Sequence, residues 1–484
     1  MKQNSIVSGS KWALVSNFYQ LICGIIYSIL VTRLLGANTF GLLETILSVI
    51  IILVLFNDFG ISRSVSRFIA KNIDNKNRLL EISATGLVIK LVSIILGSLV
   101  LYFIMPILDN LFKVKLSDYT IFIVLLLLLR SFNDYFLRQF QGLRRLDVVA
   151  FFNISKGTVH LILVTVSLFL GYGIGAILLS EILILFLINL GYVYLLIKHQ
   201  YFSLLKFSID TIKEVIMYSF PMFIIAISFI IYMRSDVLMI QYFYDSYQVG
   251  LYSLATLIVT KLQTPFTAIS AATSPVFARL EIEKGQGIFM NTFKISLILA
   301  LPMSVGLYLV AEPLVEVVFG RDYSESIDVL KIYCVFMFFY CLNAVFSPIM
   351  DYIGKAKVRS VFIVISAILN IVLNLILIPK FSIVGAAIST LITYTIYSLV
   401  LNISIIKLFI SKDKFLVFLN IILKVTICSL IMAISVFIIK KLIYSSLLYL
   451  IFAVICGAII YSMSLIYFKV ISINEIKTFF LKSK

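Results

Sequence analysis

The chain has 484 residues, of which 62% are hydrophobic and only 13% charged, and it carries a formal net charge of +17. A soluble domain is about 45–50% apolar and roughly 25% charged, so this composition excludes a water-soluble fold, and its low polarity excludes disorder. At about 20 residues per transmembrane helix, roughly 300 apolar positions allow at most about 15 spans, and runs of that length exclude a membrane β-barrel, whose strands alternate over about ten residues.

From the N-terminus, a basic segment, Met1–Lys11, leads into an apolar run that reaches Thr32. That run exceeds the roughly 7–15 apolar residues of a signal peptide and no small-residue cleavage site closes it, so it is expected to stay as the first span, 12–32. Further runs bounded by charge, Gly or Pro lie near 40–59, 82–104, 119–138, 151–170, 174–197, 213–240, 249–277, 289–311, 327–350, 358–378, 383–406, 415–439 and 445–467. Pro106, Gly171, Gly173 and Pro379 support several of the cuts. The longest gap, Gly60–Glu81, leaves no room for a soluble catalytic domain.

Counting cations tests this layout. With the N-terminus inside, 26 of the 40 Lys and Arg residues fall at inner ends and loops, and seven fall outside: Arg33, Lys113, Lys115, Arg321, Lys380, Lys440 and Lys441. A missed or extra span would scramble this alternation, so the bias supports fourteen helices with both termini cytoplasmic. The basic charge is then topological and calls for no nucleic acid. The five cysteines, Cys23, Cys334, Cys341, Cys428 and Cys456, lie within apolar runs without metal spacing and read as buried thiols.

The two halves repeat weakly but in order. Gly41 and Gly250, Gly142 and Gly354, and Gly175 and Gly385 stand in matching phrases 209, 212 and 210 residues apart. Six helices per unit is an even number, so both halves start on the same side as parallel repeats. The expected architecture is an all-α integral membrane protein of about 14 transmembrane helices. It comprises two parallel six-helix bundles, 1–206 and 207–410, around a central cavity suited to alternating access, plus two C-terminal helices in 411–484.

Together with the repeat, the phrases Arg33-Leu-Leu-Gly36…Phe40-Gly41, Asn57-Asp58-Phe59-Gly60, Gly173-Ile-Gly175-Ala176 and Arg234-Ser-Asp236…Val249-Gly250-Leu251-Tyr252 carry a resemblance. The chain resembles the polysaccharide flippases, Wzx-type O-antigen flippases in particular, of the multidrug/oligosaccharidyl-lipid/polysaccharide exporter superfamily. That resemblance covers nearly the whole chain and implies translocation of an undecaprenyl-diphosphate-linked oligosaccharide, of O-antigen, capsule or similar type, across the bacterial inner membrane. A polysaccharide polymerase and glycosyltransferases are the implied partners, besides membrane lipids.

Ionisable groups within spans cost roughly 2.5–3.5 kcal/mol each at a helix centre, which makes them functional candidates. The spans hold Lys90, Arg130, Lys156, Arg234, Lys261, Lys331 and Lys424, and the acids Glu44, Glu181 and Asp236, with Asp134 near an inner end. Helical spacing gives polar stripes: Asn17, Gln20, Gly24 and Ser28; Asn153, Lys156, His160 and Ser167; and Thr256, Thr260, Gln263, Thr267 and Ser270. Such stripes fit a water-filled cavity, the rival being interhelical hydrogen bonds in a dry bundle. Lys331 and Lys424 are close enough to their ends to snorkel. The candidate substrate ligands are Arg130, Lys156, Arg234, Lys261, Lys90, Asn17, Gln20 and Gln263, the cations serving a diphosphate. Asp236 and Glu181 are candidate handles for an H⁺ or Na⁺ coupling ion, and His160 a candidate proton carrier. Arg130 is four residues from Asp134 and could pair with it, Asp236 could pair with a neighbouring basic helix, and a structural Arg234 would, once removed, strand an acid such as Asp236, so structural pairing is the rival for each.

No Walker loop or histidine cluster is present, so neither cofactor nor metal is expected, and the chain reads as a transporter rather than an enzyme. The alternatives are a cation-coupled multidrug exporter, which a lysine-rich interior disfavours for cationic drugs, and a membrane glycan polymerase, which would need a longer outer loop.

Overall fold

The computed structural model describes residues 4–201, 206–277, 282–443 and 446–471. Its regular elements are helices: α1 (Asn4–Asp58), α2 (Ile61–Lys71), α3 (Lys76–Phe112), α4 (Thr120–Gly142), α5 (Leu146–Phe169), α6 (Ile174–Lys198), α7 (Ile209–Phe243), α8 (Ser246–Leu262), α9 (Thr264–Phe277), α10 (Ile282–Pro313), α11 (Ser326–Tyr352), α12 (Ala356–Phe409), α13 (Lys412–Leu442) and α14 (Ser446–Tyr467).

Eleven helical stretches among the described residues are long and apolar enough to cross a membrane. Two of them, Val15–Asp58 with 44 residues and Ala356–Phe409 with 54, each carry two of the stretches read from the sequence. At 1.5 Å per residue, a straight 44-residue helix would run about 66 Å, twice the ~30 Å hydrocarbon core. Both are bent instead: α1 at Gly36 (φ 72°) and α12 at Ser382 (φ 53°). A Cβ at Gly36 would touch nothing within 4 Å, so the glycine serves the backbone angle rather than packing. Ser382 follows Pro379 and is steadied by its hydroxyl, which donates to Gln248 Oε1 at 3.1 Å. The eighth stretch is broken at Gln263 into α8 and α9, of 17 and 14 residues. Each of the fourteen apolar stretches therefore lies on helix where it is described.

The chain divides into two compact units, Met1–Ser253 with Asn374–Ser382, and Leu254–Leu373 with Ile383–Lys484. The boundaries at 206 and 410 drawn from the repeat concern its two halves and stay a proposal. The basic ends Lys2 and Lys477–Lys484, used in the topology count, lie outside the described residues.

In the first unit, α2 fills what reads in the sequence as a polar gap. Ile61, Val65 and Ile69 recur every four residues and bury one face against Tyr135, Phe140, Ile188 and Tyr192. Arg63, Arg67 and Lys71 stay exposed on the other face. The corner entering α2 needs left-handed backbone at Phe59 (φ 45°) and Gly60 (φ 79°). A Cβ at Gly60 would run into the carbonyl oxygen of Ser219 on α7, so only glycine fits there. Along α3, Ile95, Tyr102 and Phe103 are each about two-thirds exposed (67%, 68% and 67%). Water would not tolerate an apolar face of that extent, and lipid does.

The second unit has its own aromatic core, in which Phe289 stacks on Phe409 at 5.2 Å and Phe293 meets Phe418 at 4.5 Å. α13 and α14 dock on α10 through polar contacts: Tyr461 donates to the Ile298 carbonyl at 2.8 Å, Tyr449 to the Leu309 carbonyl at 3.2 Å, and Lys440 pairs with Glu312 at 2.9 Å. The cysteines are free thiols, four of them buried.

Candidate functional site

Most of the intramembrane charges converge in the first unit. Arg130 of α4 forks onto Glu181 of α6, with Nε donating to Oε1 at 3.0 Å and Nη2 to Oε2 at 2.7 Å. Lys156 of α5 approaches the same carboxylate, its Nζ 3.9 Å from Oε1. One turn along α5, His160 stacks on Tyr27 of α1 with ring centroids 5.2 Å apart, and its Nε2 is buried without a hydrogen-bond partner among the described residues. Tyr19 and Thr158, joined at 2.6 Å, pin the same two helices together.

A second pair lies within electrostatic reach. Arg234 of α7 meets Glu44 of α1 at 3.0 Å. Tyr27, stacked on His160, and Glu44 are carried by the same helix, α1. Among the described residues the cluster brings three basic side chains, Arg130, Lys156 and Arg234, to two carboxylates, Glu181 and Glu44. Lys156 has the weakest partnership of the three and keeps 36% of its side chain exposed. A net positive charge within a helical span is costly unless an anion or water offsets it.

The remaining candidates sit elsewhere. Lys90 is completely buried and pairs with Asp58 at 2.6 Å. Asp58 also accepts from the backbone N–H and the hydroxyl of Ser62, capping α2. The ammonium of Lys90 is thereby committed to holding the α1–α2 corner on α3. Asp236 is 3% exposed and accepts hydrogen bonds from Tyr252 and Asn374. Gln263 donates to the Tyr340 carbonyl at 3.3 Å, beside the break between α8 and α9. Lys261 lies half-buried near the end of α8. Asn17 is exposed, and Gln20 donates to Ser16 Oγ at 3.1 Å.

Two pairings weighed in the sequence go to other partners. Arg130 does not use Asp134, which instead lies 3.6 Å from Arg138; the Nε and Nη2 edge of its guanidinium is turned toward α6 by the fork on Glu181. Arg234 pairs with Glu44 rather than Asp236, since two positions along a helix turns the two side chains about 200° apart. The hydroxyl stripes also spend themselves locally: Ser28 donates to the Gly24 carbonyl, Thr260 to Leu257 and Thr267 to Thr264. Tyr27, Tyr252 and Asn374 were not read as site residues: an aromatic ring in an apolar run carries no charge to mark it, and the Asn370–Asn374 spacing on one helix was the available signal for the amide.

Comparison with known proteins adds the following. A family model described as "Polysaccharide biosynthesis protein" matches residues 6–281, and a second, MatE, matches residues 221–376. An uncharacterised membrane protein of Methanocaldococcus jannaschii is 25% identical over 80% of this chain and 95% of its own length. A Haloferax volcanii protein described as "Probable low-salt glycan biosynthesis flippase" is 26% identical over 40% of this chain and 42% of its own. Among solved structures, a lipid II flippase in an inward closed conformation superposes with a TM-score of 0.77 at 19% identity, covering 94% of this chain and 98% of that one. An inward-facing multidrug resistance transporter of the MATE family reaches 0.67 at 15% identity, covering 80% and 95%.

Proposed function

This chain belongs to the polysaccharide biosynthesis protein family, the polysaccharide flippases of the multidrug/oligosaccharidyl-lipid/polysaccharide exporter superfamily, and we propose that it carries an undecaprenyl-diphosphate-linked oligosaccharide across the inner membrane by alternating access. The observation that supports this most is the surplus cation at Lys156, beside the Arg130–Glu181 fork. A diphosphate headgroup is the complementary anion: its oxygens take the fork of an arginine and the point charge of a lysine. Glycan and lipid flippases among the similar proteins agree with a lipid-linked sugar as cargo.

In this reading Arg130, Lys156 and Arg234 receive the headgroup, with Gln20 and Asn17 as further polar contacts on the same unit; Lys261 and Gln263 are separate polar candidates on the second unit, and Lys90 contributes by fixing the scaffold. Asp236, held by Tyr252 and Asn374, is the coupling handle for H⁺ or Na⁺. Both termini are cytoplasmic, and a polysaccharide polymerase and glycosyltransferases work beside it.

Replacement of the chromosomal gene tests the reading. Loss of the protein should abolish surface glycan while lipid-linked oligosaccharide accumulates on the cytoplasmic leaflet; normal surface glycan in the null strain would contradict it. A second reading, a cation-coupled multidrug exporter, is favoured by the MatE match over residues 221–376. It predicts raised drug susceptibility with unchanged surface glycan in the same strain.

A further inference from the structure

We propose that Glu181 is a built-in surrogate anion: it holds Arg130 and Lys156 while the site is empty, is displaced by an incoming phosphate, and returns to drive the phosphate out. The proposal rests on the reading that these cations receive an anionic headgroup.

Three observations carry it. First, a carboxylate in an arginine fork occupies the geometry that two phosphate oxygens would occupy, so the two anions compete for one position. Second, Glu181 accepts hydrogen bonds only from Arg130 among the described residues, and its other ion-pair contact is Lys156. Among the described residues these two cations supply its polar contacts, so an anion that takes both leaves the carboxylate without a partner. Third, Lys156 stands 3.9 Å from Oε1, beyond ordinary hydrogen-bond length, and keeps 36% of its side chain exposed. It is the first contact available to an anion, with the fork as the second.

The arrangement meets a requirement of transport. Two unopposed cations facing a dianion at low dielectric would form a trap from which cargo leaves slowly. A carboxylate that re-forms the same pairs offsets the cost of release. Glu181 is then a residue that limits affinity in order to permit turnover.

The test uses the full-length protein in lipid nanodiscs, with farnesyl diphosphate as probe and farnesol as the uncharged control. Removing the competing carboxylate in Glu181→Gln should tighten farnesyl diphosphate binding about 10-fold or more, the effect of one charge-assisted contact, and leave farnesol unchanged. In cells the same variant should export glycan more slowly per molecule of protein in the membrane, with any loss of abundance from the broken pair corrected by immunoblot. Equal or weaker farnesyl diphosphate binding, at an unchanged melting temperature, would overturn the proposal. Should Glu181→Gln fail to fold, Glu181→Asp serves instead: its shorter arm completes the fork poorly, so binding should tighten by a smaller factor, and unchanged binding there overturns the proposal equally. If the unmodified protein does not distinguish farnesyl diphosphate from farnesol, the headgroup reading itself fails and takes this proposal with it.

Discussion

Gly41 on α1 and Gly250 on α8, equivalent positions in the sequence repeat, pack directly against each other's helices. A Cβ on Gly41 would overlap the Ser246 carbonyl oxygen and the Gly250 nitrogen, and a Cβ on Gly250 would overlap the Ala37 carbonyl oxygen. The repeat landmarks are thus the place where two backbones touch, as small residues at membrane helix crossings allow. Since the obstructing atoms are main chain, they do not yield as a side chain would. Gly41→Leu and Gly250→Leu should each destabilise the protein by about 1–3 kcal/mol or more through overpacking. A thermal-shift assay on the purified protein reads this directly, and an unchanged melting temperature would count against the crossing.

Lys90 and Asp58 form a buried pair, so each alone should be intolerable without the other. Breaking such a pair costs about 3–5 kcal/mol, because the remaining charge is left unpaired in the interior. Lys90→Met and Asp58→Asn should each lower membrane abundance sharply. The double variant should recover much of it, though not the cap on Ser62. A Lys90→Met protein present at normal levels but inactive in export would instead make Lys90 a substrate ligand.

Arg234 gives a sharper test of pairing. Arg234→Gln strands Glu44, which keeps only 16% of its side chain exposed. The added variant Glu44→Gln should restore abundance, whereas Asp236→Asn should not. Immunoblots of membrane fractions separate the two, and rescue by Asp236→Asn would contradict the observed pairing.

The fold was largely legible because its signals are repeated many times over. Hydropathy marks each span independently, and the charge bias checks the count. The site was only partly legible. Arg130, Lys156, Glu181, His160, Arg234 and Asp236 stand out as charges or imidazole in apolar runs, but the partners of Arg130 and Arg234 come from other helices, where spacing within one helix offers only Asp134 to Arg130. Asp58 was visible as a motif residue, yet its link to Lys90 crosses 32 positions and depends on how α1 packs on α3. α2 is too short and too polar to stand out as an apolar run, although Ile61, Val65 and Ile69 carry a plain four-residue period.

The topology rests on the 26-to-7 distribution of cations and is checked by labelling. Single cysteines at Lys115 and Arg321, in a background lacking the native five, should react with an impermeant thiol reagent added outside intact cells. A cysteine at Lys76 should react only after permeabilisation. A reversed result at any of the three would mean that a span has been miscounted.

The central claim is that a cation at position 156 engages the anionic headgroup of a lipid-linked sugar during translocation. Proteoliposomes loaded with a fluorescent undecaprenyl-diphosphate oligosaccharide measure this, the flipped fraction being read by an impermeant quencher. The unmodified protein should accelerate transfer between leaflets. Lys156→Gln should slow it about 10- to 150-fold, the loss of one charge-assisted contact, while Lys156→Arg retains most of the rate. Transfer by Lys156→Gln as fast as by the unmodified protein, at equal reconstituted amounts, would contradict the claim.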